Sequence, residues 1–557
     1  MSSRFTGIGV SQGVAAAPAV VVAPAIGVEV GEPKTTDFDA ASAQVHQALS
    51  DVAAGLTARA AQAPADAKAV LEAGAMMASD PGLASGIDNL LQAGKGVTNA
   101  VHDAVEEYAA MFESLGGYMA ERVTDLRDVR DRVISRLRGV PEPGVPQLTQ
   151  PSILIARDLA PAETAMLSAD TCVGIVTSEG GPTSHTAILA AQLGIPAVVQ
   201  VGELRVANGA EVAIDGGAGL VILDPTKEEV DALKLRQQRR QSALSDSDAP
   251  GATKDGVPIA LLANIGTVAD AESAAAKAVE GVGLFRTEFL FLDRESAPTL
   301  KEQTATYTKV LEAFGPRRVI VRTLDAGADK PLKFADLGPE ENPALGKRGL
   351  RLSMIRQDLL DTQLEALAAA YKATGADLRV MAPMIANKPE ADWFAERARA
   401  AGLPKVGVMI EIPAAALRAE QVLANLDFAS LGTNDLQQYT MATDRMEGAL
   451  ARLLNYWEPA VLDVIAAACS GAKAAGKPIG VCGESGGDPG LALVLVGLGV
   501  SSLSMAPAKV QAVRTVLAAH TMEDCVKLAA IARKQETWEE ARQAVLDAAD
   551  PVLKDVL

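Results

Sequence analysis

Between residues 259 and 505 the chain repeats one pattern eight times: a short apolar run rich in β-branched residues, then a stretch with helical spacing. The runs are Ile259–Asn264, Gly283–Arg286, Val319–Arg322, Val380–Met384, Val406–Glu411, Phe428–Asp435, Ile479–Cys482 and Leu503–Met505. Strands joined by crossover helices lie parallel and are buried on both faces, and eight such units in succession close on themselves. The sequence therefore predicts a (β/α)8 barrel over 256–557, with terminal helices from about Thr521.

In a barrel of this kind the C-terminal strand ends form one working face. Arg286 and Arg322 close the second and third runs, and Arg348 and Arg445 lie in the loops after the third and sixth. Planar guanidiniums grip phosphate or carboxylate through paired hydrogen bonds. Glu411 closes the fifth run and Asn434-Asp435 the sixth, a pair of carboxylates of the kind Mg²⁺ takes when substrate and water complete its shell. Cys482 closes the seventh, and a thiol beside arginines and a metal can deliver a proton to carbon. A lone buried cysteine usually serves packing, but the strand-end position favours chemistry. Any one arginine could be a surface salt bridge. Four at one rim fit that reading poorly, because clustered cations repel one another unless an anion is bound, here in a chain of formal net charge -19.

Upstream of the barrel, 557 residues leave room for two or three further units. Residues 37–145 carry helical spacing and read as a helical domain, ended by Pro141, Pro143 and Pro146. Within it Glu121 and Asp125, and Asp128 and Arg132, stand one turn apart; the stripe is a solvated face by default and a docking face otherwise. Residues 146–225 alternate strands and helices, a small α/β unit joined by the N-terminal strands of 1–36. The charged stretch 226–255 reads as a linker on which that unit moves. The apolar segment 13–28 is broken by Pro18 and Pro24 and preceded only by Arg4, which suits a strand and turn better than a leader.

The small α/β unit holds the second candidate centre. Cys172–Thr177 reads as a strand, and Gly180-Gly181-Pro182-Thr183-Ser184-His185 then leads into a helix. Glycines allow close approach of the backbone, and free N–H groups at a helix start attract anions, so His185 could exchange a phosphoryl group. A capped helix with a bystander histidine fits the same residues. The four cysteines are scattered with no C-x-x-C, which argues against a zinc site or a disulfide framework and suits a reducing cytoplasm. The acidic balance argues against a broad nucleic-acid surface, and no apolar run is long enough for a membrane helix.

Six stretches carry a resemblance: Gly180–His185, Gly281–Leu290, Val321–Asp325, Glu341–Pro343, Gly432–Tyr439 and Val481–Glu484. In this order, over nearly the whole chain, they resemble the enzyme I family of the bacterial sugar phosphotransferase system. The resemblance implies a multidomain α/β chain: a (β/α)8 barrel, a swivelling phosphohistidine domain and an inserted helical bundle. It implies that His185 attacks the phosphorus of phosphoenolpyruvate through Nε2. Arg286, Arg322 and Arg348 would hold the phosphoryl group, and Arg445, Asn434 and Asp435 the rest of the substrate. Mg²⁺ would sit on Glu411 and Asp435, Cys482 would protonate the enolate to pyruvate, and Thr164 would orient the histidine ring. The phosphoryl group would pass next to a histidine of the carrier protein HPr, docked on the helical domain, and the barrel would form a homodimer. Two positions depart from the family pattern: Ala191 stands where many relatives place an arginine directly after the Ala of the histidine helix, and Gly74 where relatives often carry a histidine in the helical domain. A dikinase or synthase of the pyruvate-phosphate class shares these modules but needs an ATP-binding domain, for which the first 140 or so residues offer no Gly-rich loop. A protein that senses phosphoenolpyruvate without turnover is the other alternative.

Overall fold

The structure, a computed structural model of the chain, describes residues 1–557 apart from 1, 24–27, 29–30, 62–64, 116–122, 147, 160–166, 181–184, 245–247, 293, 328–331, 336, 339 and 446; at 65–67, 69–70, 113–115, 124, 185, 188, 191–192, 448–449 and 451 it describes the backbone alone. Two compact units divide it, 1–237 and 238–557.

The first unit contains an eight-stranded sheet: β1 (Ser3–Thr6), β2 (Ile8–Ser11), β3 (Val14–Val21), β4 (Ser152–Ala156), β5 (Cys172–Thr177), β6 (Ala197–Val199), β7 (Glu211–Asp215) and β8 (Leu220–Leu223), in the order β1-β8-β7-β3-β4-β5-β6-β2. Strands β3 to β6 run parallel as neighbours, while β1, β2 and β7 pair antiparallel with β8, β6 and β3. The inner runs of β4 and β5 are almost wholly buried, as continuous β-branched sequence requires when both faces are covered.

Between β3 and β4 the chain leaves the sheet for α1 (Phe38–Ala60), α2 (Ala65–Ala78), α3 (Pro81–Gln92), α4 (Val97–Leu115) and α5 (Val123–Leu137). Their apolar stripes meet in one core that includes Val45, Val52, Ile87, Val101 and Val129. Gly74 lies against this core: a Cβ there would stand 3.3 Å from Leu56 Cδ1. Any side chain at this position would require the end of Leu56 to give by a few tenths of an ångström. The charged stripe of α5 differs from the solvated face expected. Arg132 is buried and donates to both oxygens of Asp128 and, at 3.4 Å, to Glu142, whose own loop follows the helix. The i,i+4 pair alone would have stayed wet; Glu142 closing over it removes the guanidinium from water. Glu121 lies outside the described residues.

The charged stretch after β8 forms a helix, α7 (Lys227–Ala243), following α6 (His185–Leu193), and the two units divide within α7.

The second unit is a closed parallel barrel of β9 (Ala260–Ile265), β10 (Gly281–Arg286), β11 (Arg318–Arg322), β12 (Leu378–Ala382), β13 (Val406–Ile410), β14 (Phe428–Leu431), β15 (Ile479–Val481) and β16 (Ser502–Met505), each pairing with the next and β16 with β9. All eight runs read from the sequence appear as strands. The sixth ends at Leu431, short of the predicted Asp435, because Gly432 leads straight into a helix at Thr433–Thr440. Helices start where side chains can satisfy the free N–H groups: Thr267 with Asp270, Thr299 with Glu302 and Thr521 with Asp524 form reciprocal caps. Val319, Val321, Val408 and Ile410 pack outward with the helices, whereas Leu284, Ile320, Met381, Met409, Phe428 and Cys482 fill the barrel interior. The two-residue period then carries Arg286, Arg322 and Glu411 to the inner side at the strand ends. Among the described residues no helix is long and apolar enough to cross a membrane.

Candidate active site

The C-terminal mouth of the barrel is built on two buried arginines. Arg348 is fully buried. Its Nε and Nη2 donate to the two oxygens of Asp325 at 3.1 and 3.0 Å, and its Nη1 and Nη2 to those of Asp435 at 2.8 and 3.2 Å. Burial alone would lower its pKa, but Asp325 and Asp435 more than reverse this and raise it, so the group stays a cation. Arg322 closes β11, with Nη1 3.2 Å from Asp325 and Nη2 donating to Glu288. Asp325 thus bridges the two guanidiniums at a place inaccessible to water. These carboxylates answer the repulsion expected of clustered arginines: the compensating anions belong to the protein.

Two further cations stand nearer the solvent. Arg286 reaches Glu484 at 3.2 Å, and Arg445 lies 3.6 Å from Asp435. Asn434 and Asp435 occupy the first turn of the helix at 433–440, so both are aimed by that helix and not by a strand.

Glu411 follows β13 and is fully buried. Its Oε1 accepts the Met384 N–H at 2.5 Å, and Met384 itself holds a positive φ of 58°. Among the described residues its Oε2 has no hydrogen-bond partner, nor has the buried Nε of Arg322. Burial, then Asp435 and Asp325, push the Glu411 carboxyl up to about 7, against the opposing pull of Arg322 and Arg348. A buried carboxylate oxygen without a donor and repelled by neighbouring acids is the environment a cation relieves. The residues therefore fit a hard divalent ion that carries most of its shell as water and substrate oxygen. Asp435 contributes less freely than the sequence suggests, since both its oxygens already accept from Arg348.

Cys482 lies just past β15 at the top of the interior cluster. Burial pushes its thiol up to about 11, partly offset by a hydrogen bond with Ser430 on the adjacent strand. It is a thiol, not a thiolate, at neutral pH.

The structure therefore brings together Arg286, Arg322, Arg348, Glu411, Asn434, Asp435, Arg445 and Cys482 at one barrel mouth. His185 belongs to the other unit. It opens α6, with Gly180 ahead of it at φ 89° and the next residue, Thr186, buried and donating to Asp158 at 3.0 Å. The side chains of His185 and Ala191, and the whole of Thr164, lie outside the described residues.

Sequence reasoning gave no role to Glu288, Asp325, Gln363 or Tyr456. Glu288 and Asp325 could have been noticed, standing two residues after Arg286 and three after Arg322. Gln363, which accepts the Leu324 N–H and donates to Thr287 Oγ1 and Tyr307, and Tyr456 carry no local signal.

Comparison with known proteins places this geometry. Residues 240–522 match the family described as PEP-utilising enzyme, PEP-binding domain; 148–219 match its mobile domain and 6–122 its N-terminal domain. The chain is 49% identical over 552 residues to the phosphoenolpyruvate-protein phosphotransferase of Streptomyces coelicolor, covering 98% of this chain and 99% of that one. It is 42% identical to the protein of the same name from Haloferax volcanii, over 83% of each chain, and 36% identical to that of Listeria monocytogenes, over 98% of this chain and 99% of its relative. With a barrel mouth lined by paired arginines and carboxylates, and matches over nearly its full length, this chain belongs to the phosphoenolpyruvate-protein phosphotransferase family and is an enzyme of phosphoenolpyruvate-dependent phosphoryl transfer.

Proposed function

We propose that the chain takes the phosphoryl group of phosphoenolpyruvate onto Nε2 of His185, releases pyruvate, and hands the group to a histidine of HPr. The observation that carries this reading is a set of buried atoms at the barrel mouth without hydrogen-bond partners among the described residues, Arg322 Nε and Glu411 Oε2 with Glu288 Oε2 beside Arg322. A donor and an acceptor left open in the same dry cluster suit a ligand that brings both an anion and a metal. Phosphoryl transfer asks a protein for positioning and charge neutralisation more than for bond-making. Arg286, Arg322 and Arg348 supply that to the phosphoryl oxygens, and Asn434, Asp435 and Arg445 hold the remainder of the substrate. Mg²⁺ held by Glu411 and Asp435 would neutralise charge on phosphate and carboxylate. As the P–O bond to the enol oxygen breaks and the P–N bond to His185 forms, the enolate carbon takes the Cys482 proton. The high thiol pKa keeps that proton available at neutral pH.

The domain scheme proposed is 1–36 with 146–225 as the phosphohistidine domain, 37–145 as the HPr-binding domain, 226–255 as linker and 256–557 as the substrate and dimerisation domain. The barrel is proposed to form the homodimer, as the family resemblance implies. Four free thiols suit the cytoplasm. Incubation with ³²P-labelled phosphoenolpyruvate and Mg²⁺ should leave an acid-labile, base-stable phosphate that His185→Ala abolishes and a chelator prevents. Label retained by His185→Ala would overturn the assignment of the acceptor.

A further inference from the structure

The side-chain amide of Asn434 is held from behind. Its Oδ1 accepts the Tyr456 hydroxyl at 2.9 Å and the Glu484 backbone N–H at 3.1 Å. A backbone N–H can only donate, so the atom facing Glu484 must be the amide oxygen, and the phenol beside it must donate as well. Both lone pairs of Oδ1 are then used. The amide NH₂, which makes no hydrogen bond among the described residues, keeps two donors uncommitted.

Tyr456 is well placed to hold this arrangement. Its neighbour Trp457 is clamped by an indole hydrogen bond to Asp488 at 3.0 Å, and Asp488 in turn caps the helix at 489–498. Burial and the nearby Glu484 raise the phenol pKa, so the hydroxyl keeps its proton. Arg286, Arg445 and Asp435 also act on the phenol, which puts it among the charges of the site.

We propose that Tyr456 is a positioning residue for the reaction: it fixes the Asn434 amide so that its NH₂ donates to an oxygen of the bound phosphoenolpyruvate. Without the phenol, the amide gains a competing orientation in which its oxygen faces the anion and repels it. The inference rests on the reading of Asn434 as a substrate contact, and the test separates the two.

Phosphoenolpyruvate binding is measured by calorimetry with Mg²⁺ in a His185→Ala background, where no transfer follows binding. KM and kcat are measured with His185 intact. Asn434→Ala removes a hydrogen bond to a charged ligand and should weaken binding about 10- to 100-fold. Tyr456→Phe deletes one oxygen and should weaken it about 2- to 10-fold, appearing in KM with kcat nearly unchanged. The double variant should bind within about 2-fold of Asn434→Ala, because the phenol acts only through the amide. Asn434→Asp keeps the acceptor for both donors and removes the NH₂, and it should bind at least as poorly as Asn434→Ala. Unchanged binding by Asn434→Ala or Asn434→Asp would overturn the substrate contact itself. Loss with Asn434→Ala that Tyr456→Phe simply multiplies, or fails to reproduce in part, would overturn the role of Tyr456 alone.

Discussion

Asp325→Asn tests the central claim about the barrel mouth, that protein carboxylates make two buried guanidiniums tolerable. The native carboxylate accepts from Arg348 at 3.1 and 3.0 Å and faces Arg322 at 3.2 Å, with no solvent contact. Breaking a buried pair by removing one partner costs about 3–5 kcal/mol. Two effects reduce this. Asp435 still holds Arg348 and Glu288 still holds Arg322, and the loss of a negative charge relieves Glu411, whose carboxyl Asp325 helps to push up. The net cost should be about 2–3 kcal/mol, with the weakened compensation of the two buried guanidiniums outweighing the relief. For a unit of this size that lowers the melting temperature by about 3–4 °C. Differential scanning calorimetry gives the shift, and kinetics should show a higher KM for phosphoenolpyruvate. A melting temperature within about 1 °C of the parent would show that Asp325 does not stabilise the pair, and the electrostatic account of the site would fail.

Three further outcomes follow from other parts of the site. In Gly432→Ala the new methyl would stand 2.6 Å from Glu411 Oε2 and 2.7 Å from Met409, so the concentration of Mg²⁺ giving half-maximal activity should rise about 10-fold or more while the melting temperature falls little. Gln363→Leu strands the Leu324 N–H and removes a donor from Thr287 and Tyr307, whose hydroxyls keep their bonds to the Arg322 carbonyl and to Gln303, and should destabilise the barrel by about 1–3 kcal/mol in urea titration; a loss below about 0.5 kcal/mol would refute the network. Cys482, with its pKa near 11, should have about 0.1% thiolate at pH 8 and resist iodoacetamide in the folded protein. The folded pKa lies above the unfolded value, so the stability linked to this thiol is complete below about pH 9 and is lost as pH rises toward 11. Rapid alkylation of Cys482 at pH 8 would contradict the burial described.

The barrel was legible because each strand carries its own apolar run, and the strand-end rule then located Arg286, Arg322, Glu411 and Cys482 without knowledge of any contact. What stayed hidden was set by closure of the ring. Arg348 meets Asp435 across 87 residues and Asn434 meets Tyr456 across 22, distances over which sequence spacing says nothing about approach. The helix holding Asn434 and Asp435 was read as strand because Phe428–Leu431 is strongly β-prone and Thr433 continues the pattern. Arg132 misled for the opposite reason. Its partner at i−4 was visible, but the loop carboxylate that closes over the guanidinium was not.

The sheet of the first unit imposes an order on its own synthesis. Strand β3 has no parallel neighbour until β4 is made, and β2 and β1 wait for β6 and β8, because the five helices intervene. At a ribosome speed of about 5–20 residues per second, the first strand waits of the order of 10–40 s for a partner some 200 residues downstream. The helical insertion, whose contacts are local, has time to fold first. A nascent chain stalled before residue 197 should therefore carry a folded bundle attached to exposed N-terminal strand edges, a form suited to capture by chaperones that recognise extended chain.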